Sequence, residues 1–144
     1  MKNMVYIQSG GPTSVINTSF YGAIKEAKRH PEEITHIYGS VHGIEGLIDD
    51  DLIDVGLEDE EQIELLLQTP GSILGTTRRK LPKDINDPIY AKIIANLQKH
   101  EIKYVFVKTE YVFVKCKTFR DYYGIIVSEF LIADFPWKEE PYAI

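Results

Sequence analysis

Residues 4–17 read MVYIQSGGPTSVIN, and the order of residue types in them decides the fold. Met4-Val5-Tyr6-Ile7 is a short apolar run that ends in Ser9-Gly10-Gly11, the pattern of a strand entering a turn. Beyond the turn, Ile16, Phe20, Ala23, Ile24 and Ala27 recur at helical spacing until Pro31 closes the helix. Ile34 to Val41 is a second strand, followed by a glycine-punctuated loop, HGIEGLIDDD at 42–51. Glu60 to Gln68 reads as a short helix stopped by Pro70-Gly71. Asp87-Pro88 supplies a cap and a first-turn proline for a helix with Ile89, Ile93, Ile94 and Leu97 on one face. Ile102 to Val107 is a third strand, continuously apolar like one covered on both sides. Alternating strands and helices imply right-handed parallel crossovers, hence an α/β fold with a doubly wound parallel sheet. In such sheets ligands gather beyond the carboxyl ends of the strands.

The chain has 144 residues, 44% hydrophobic and 26% charged, enough for one domain with a real core. The amino terminus has one basic residue and an apolar run too short for a signal peptide, and no segment is long enough to span a bilayer. The single Cys116 has no partner for a disulfide or a metal site. The expectation is a cytoplasmic protein with no membrane partner. The net charge of −6 is unevenly spread: no lysine or arginine occurs from His30 to Thr77, where twelve acids lie, so the remainder stands at +6. This balance argues against nucleic acid as a partner, while Arg78-Arg79-Lys80 remains a compact cluster suited to one small anion. The acid run lacks the alternating ligands and turn glycine of a calcium loop and reads as a solvated face.

Two segments at the predicted ligand edge suit phosphate. In SGGPTS, two glycines let the backbone turn and approach a ligand, and the next helix aims its unpaired amides there. The segment is neither a P-loop, which ends in lysine, nor the dinucleotide fingerprint with its three spaced glycines; glycine used for turn geometry alone is the other reading. In GTTRRK, Gly75 permits a turn, Thr76 and Thr77 offer hydroxyls, and Arg78 or Arg79 offers a planar fork for phosphate oxygens. The other reading of these arginines is that they balance the acidic stretch.

SGGPTSVIN, IYGSVHGIEGL, TPGSILGTTRRKL and ANLQKHEIKYVFV, in that order, resemble the amino-terminal part of 6-phosphofructokinases over residues 3–107. The Pro-Thr-Ser-Val-Ile-Asn wording is similar to the pyrophosphate-dependent branch. The resemblance implies that Gly10 lies against the phosphoryl donor, with Gly11 shaping the turn. It implies that Arg78 contacts donor phosphates, that Arg79 contributes its backbone, and that HGIEGL shapes the cleft. It further implies pyrophosphate or ATP as donor, fructose 6-phosphate as acceptor and Mg2+ as cofactor.

The resemblance stops where YVFVK, Tyr104–Lys108, is repeated as Tyr111–Lys115. In the family the matching strand runs into a glycine-glycine loop whose aspartate serves the magnesium site; here Lys108-Thr109-Glu110 follows, with no glycine until Gly124. The family's later Pro-Lys-Thr and Ile-Asp-Asn-Asp find their nearest echo in Lys117-Thr118-Phe119-Arg120-Asp121, which puts an arginine where the base belongs. A repeat of period seven turns its second copy to opposite faces of a continuous strand, and Lys-Thr-Glu lacks the glycine or asparagine of tight hairpin turns. Residues 108–144 also hold nine of the sixteen aromatics. The sequence therefore predicts a phosphofructokinase-like segment, 3–107, and a divergent tail, 108–144, rearranged, frameshifted or truncated relative to a full enzyme. No catalytic residue and no metal ligand is assigned. The expected function is the donor half of a phosphotransferase, acting as a homo-oligomer or with a complementing chain. The alternative is a non-catalytic phosphate-binding or interaction module, or a truncated fragment without activity.

Overall fold

The computed structural model describes residues 3–13 and 15–108 in full and the backbone of 126–127 and 130–134. In chain order these form β1 (Asn3–Gln8), α1 (Ile16–Lys28), β2 (Ile37–Ser40), α2 (Ile44–Asp49), β3 (Leu52–Asp54), α3 (Glu60–Glu64), α4 (Pro88–Lys99), β4 (Ile102–Lys108), β5 (Ile126–Val127) and β6 (Phe130–Asp134). Short 3-10 turns at Val55–Leu57 and Leu65–Leu67 flank α3. The sheet order is β3-β2-β1-β4-β6-β5. β1 lies between β2 and β4 and runs parallel to both, as the crossovers require, while β3 and β6 close the parallel centre with antiparallel pairs. The doubly wound α/β architecture is thus present, with antiparallel strands added at its margins. The second copy of the repeat, Cys116 and Asp121 lie outside the described residues.

The alternation of β1 divides the core between two faces. Met4 and Tyr6 point to α1 and α3, packing with Phe20, Ile24, Ile63 and Leu66. Val5 and Ile7 point the other way, to Leu47 of α2 and Leu97 of α4. Every residue of β1 is buried, as befits the central strand of a sheet covered on both sides. Tyr6 packs against Phe20 at a tilt of 31° with ring centroids 4.6 Å apart, and its hydroxyl is buried with no hydrogen-bond partner among the described residues. Burial pushes that phenol well above its ordinary pKa.

Two elements depart from the sequence expectation. The HGIEGLIDDD stretch is not all loop: Ile44, Leu47 and Ile48 recur at helical spacing and form α2, which the glycines disguise. Gly46 is there because a Cβ would lie 2.6 Å from the Val41 nitrogen and 2.7 Å from the Asp51 carbonyl. Beyond α2, Leu52–Asp54 forms β3 inside the run read as a solvated face. The second strand begins only at Ile37, because the Ile34 amide is held by the His30 carbonyl in the turn after α1. At α4 the expectation holds in atomic detail, with Asp87 accepting the Ile89 amide at 3.0 Å and Pro88 in the first turn. Ile94, placed on the inward face by spacing, is 49% exposed.

Asp50, the C-cap of α2, ties that helix to the end of α4. Its carboxylate accepts from Lys99 Nζ and lies 2.6 Å from His100 Nε2. Lys99 first, then His100, holds the Asp50 carboxyl below the usual carboxylate range. Asp50 also has a φ of 62°, which asparagine tolerates, so Asp50→Asn removes the charge and keeps the backbone.

Two stability predictions follow from these buried and paired groups. Tyr6→Phe removes a hydroxyl that has been desolvated without compensation, so urea melts should show no loss and a gain of up to about 1 kcal/mol. For Asp50, a depressed carboxyl stabilises above the unfolded pKa of about 4 and loses that contribution as pH falls through the folded value. Asp50→Asn should therefore cost about 0.5–1 kcal/mol at pH 7, a partly exposed pair being worth no more, and the deficit should shrink below about pH 4.

Candidate functional site

β1, β2 and β4 end together at Gln8, Ser40 and Lys108, and the segments that follow β1 and β2 leave from this edge. The chain passes from Gln8 into Ser9-Gly10-Gly11-Pro12-Thr13, and the Ser9 amide donates to the Lys108 carbonyl at 2.8 Å. Gly10 has a φ of 85°, a conformation that costs a side-chain-bearing residue, whereas Gly11 does not adopt positive φ. Gly10 and Gly11 are both half-buried. α1 then starts with Val15 as its N-cap and no side-chain cap, the Ile16 amide reaching only the Thr13 carbonyl at 3.4 Å. Among the described residues no side chain caps its first-turn amides, which is compatible with the phosphate reading.

A buried amide network fixes what lies over this turn. Gln8 is fully buried; its Oε1 accepts from Ser72 Oγ and from the Leu74 amide, the latter at 3.1 Å. Gln8 Nε2 donates to Asn17 Oδ1 at 3.1 Å, and that oxygen also accepts the Ile73 amide at 3.0 Å. Asn17 Nδ2 donates to the Thr69 carbonyl at 2.8 Å. Two side chains, one at the end of β1 and one in the first turn of α1, thus hold the whole 69–74 loop. Leu74 plugs the core, and a Cβ on Gly39 of β2 would meet its side chain at 2.7 Å.

From Leu74 the chain enters GTTRRK. The His42 amide donates to the Leu74 carbonyl at 2.7 Å, and a Cβ on Gly75 would lie 2.4 Å from the His42 ring, so this position admits glycine alone. Gly43 is squeezed between the Gln8 carbonyl and Thr77: its Cβ would lie 2.9 Å from each. That contact brings the start of the glycine turn and the arginine segment against the same residue, as the sequence anticipates. Glu45, in the first turn of α2, accepts from Arg79 Nη1 at 2.5 Å and from Thr77 Oγ1 at 3.4 Å. The Arg79 amide donates to Thr77 Oγ1 at 3.1 Å. Arg79 therefore has internal partners for both its guanidinium and its amide. Arg78, exposed between them, has no hydrogen bond or ion pair among the described residues.

Sequence reasoning passed over three residues that build this edge. Gln8 is a polar residue continuing an apolar strand, Asn17 a polar residue beside Ile16 on the inward face of α1, and Glu45 an acid inside a glycine-rich stretch. The signal available was polarity at a position that periodicity marks as buried. Lys108, read only as the start of a break, is itself 7% exposed at the end of β4, in register with Gln8. Among the described residues no group of three or more His, Cys, Asp or Glu side chains gathers to hold a metal.

Asn17→Ala should test the network directly. It strands the Ile73 amide, the Thr69 carbonyl and the Gln8 amide group, so stability should fall by about 1–3 kcal/mol. Exchange at the Ile73 and Leu74 amides should rise more than at β1, as hydrogen-exchange mass spectrometry would resolve.

Known proteins agree with this geometry. The phosphofructokinase family model matches residues 3–108. The pyrophosphate–fructose 6-phosphate 1-phosphotransferase of Halomonas elongata is 42% identical over 106 residues, which is 72% of this chain and 25% of that protein. The enzyme of the same name from Methylococcus capsulatus is 39% identical over 106 residues, again 25% of its length. The chain thus spans about a quarter of the length of the curated relatives it matches. The crystal structure of pyrophosphate-dependent phosphofructokinase from Marinobacter aquaeolei superposes with a TM-score of 0.69 at 38% identity, covering 76% of this chain and 26% of that one. On the sequence match and the shared fold alike, the chain belongs to the phosphofructokinase family.

Proposed function

We propose that residues 3–108 bind the phosphoryl donor of a pyrophosphate-dependent phosphofructokinase, with pyrophosphate held at Gly10, Gly11 and Arg78. The observation that carries this reading is that Gln8, which leads into SGGPTS, and Thr77 of GTTRRK both press against Gly43. A helix start with no described side-chain cap supplies amides, Gly10 gives the backbone room to approach, and Arg78 supplies a cation not committed to a described acid. Arg79 serves the site from behind, since its amide and guanidinium already donate to Thr77 and Glu45. The matched relatives are named for transfer from pyrophosphate to fructose 6-phosphate, and that is the reaction in which this segment would take part. Mg2+ would come to such a site with the donor. The segment 108–144 is a separate, divergent region in this reading, and the protein belongs in the cytoplasm.

A second reading, a phosphate-binding module without turnover, is favoured by Lys108. A buried lysine stands at the strand end where the resemblance expects a glycine loop and its acid. Phosphoryl transfer depends almost wholly on positioning and electrostatics, and a proton acceptor must be in place for the attacking hydroxyl. The two readings share one binding site and differ in turnover.

Titration calorimetry with pyrophosphate tests the site. Arg78→Ala should weaken binding by roughly 1.5–3 kcal/mol, the worth of hydrogen bonds to a charged group. Equal affinity in the two proteins would remove Arg78 from the site. A coupled assay for fructose 1,6-bisphosphate separates the readings: magnesium-dependent turnover that survives repurification favours the transferase, and its lack the module.

A further inference from the structure

We propose that Glu45 is a positioning residue for Arg78, acting through Arg79 and Thr77; the inference rests on the pyrophosphate reading above. Thr77 and Arg79 flank Arg78, and both side chains turn to the same carboxylate. Arg79 Nη1 reaches one Glu45 oxygen at 2.5 Å and Thr77 Oγ1 the other at 3.4 Å. The Arg79 amide closes the brace on Thr77 Oγ1 at 3.1 Å. Three hydrogen bonds therefore fix the residues before and after Arg78, and the side chain of Arg78 alone of the three is uncommitted among the described residues. The anchor is itself rigid. Glu45 sits in the first turn of α2, where its charge complements the helix dipole. Gly43 just before it is wedged between the Gln8 carbonyl and Thr77, and the Gly43 carbonyl accepts Ser40 Oγ at 2.6 Å.

The sign of the effect separates positioning from simple electrostatics. A carboxylate beside an anion site repels the anion, so on charge alone Glu45→Gln should tighten pyrophosphate binding. If Glu45 instead holds Arg78 in place, the same substitution should weaken it. The Glu45–Arg79 pair is 29% and 41% exposed, so the brace has the modest worth of a partly screened ion pair. The expected loss is about two- to fivefold in pyrophosphate affinity. The reciprocal exchange, Glu45→Arg with Arg79→Glu, keeps the net charge and should recover affinity to within about twofold of the unaltered chain.

The experiment is calorimetry of the full 144-residue chain with inorganic pyrophosphate, beside amide exchange at residues 76–80. The brace predicts that Glu45→Gln weakens binding and speeds exchange of the Arg79 amide, that the charge exchange restores both, and that Gly10 and Arg78→Ala chains keep normal Arg79 exchange. Equal or tighter binding by Glu45→Gln, or unchanged Arg79 exchange, overturns it. An unaltered chain that binds no pyrophosphate, while Arg79 exchange still depends on Glu45, overturns the donor-site reading and leaves the brace as a loop-ordering pair.

Discussion

The hydrogen bonding of one buried glutamine is the constraint on which the ligand edge depends. Gln8 has to donate and accept, because it is fully buried and an unpaired amide there costs about 1–3 kcal/mol for each stranded group. It meets that requirement with Asn17 on one side and the Ser72–Leu74 backbone and hydroxyl on the other. β1, α1 and the 69–74 loop are thereby placed relative to each other by directional bonds, where apolar packing alone would permit sliding. Everything later in the site inherits that placement. Leu74 enters the core, its carbonyl receives the His42 amide, and Gly75 turns the chain under the His42 ring toward Thr77 and the arginines.

The two-faced core makes the edge possible. Because successive residues of β1 alternate between the α1 and α4 sides, the strand is covered twice and buried along its whole length. The parallel neighbours β2 and β4 end at the same level, so the turns after Gln8 and Ser40 leave the sheet side by side. The antiparallel β3 and β6 extend the sheet sideways and start at that same end, Leu52 level with Ser40 and Phe130 level with Lys108.

Much of this was legible in the residues. Strand, glycine turn and helix at 4–27, the capped helix at 87–99 and the strand from Ile102 follow from periodicity and from cap and turn chemistry, which are local. α2 was hidden because Gly43 and Gly46 read as loop punctuation, while in the fold Gly46 is required by a backbone approach from Val41 and Asp51 that no local pattern records. β3 was hidden for a related reason: three residues amid acids gain their strand character only from pairing with β2. The site shows the same division. Gly10 and Arg78 carry their chemistry in their residue type, whereas Gln8, Asn17 and Glu45 matter through partners 9 to 66 residues away.

The charge asymmetry of the sequence finds its meaning in those distant partners. The stretch from His30 to Thr77 holds twelve acids and no lysine or arginine, so within it no acid can pair with either. Instead the acids reach outward: Glu60 to Lys25 and Lys28 of α1, Asp50 to Lys99 at the end of α4, Glu45 to Arg79. Such partly exposed pairs stabilise little individually. Their value is in matching segments, because like charges within the stretch repel and cations of the surrounding segments attract. An acidic segment of this size would also repel a polyanion from the whole face it occupies. Pairing answers that repulsion locally, and it does so unevenly. Lys25, Lys28, Lys99 and Arg79 are drawn to acids, while Arg78, one residue from Arg79, keeps its guanidinium clear of every described carboxylate. Adjacent arginines have thus divided the work. One pairs with Glu45 and braces the backbone, and the other, which has no described partner, is the one the pyrophosphate proposal assigns to the anion.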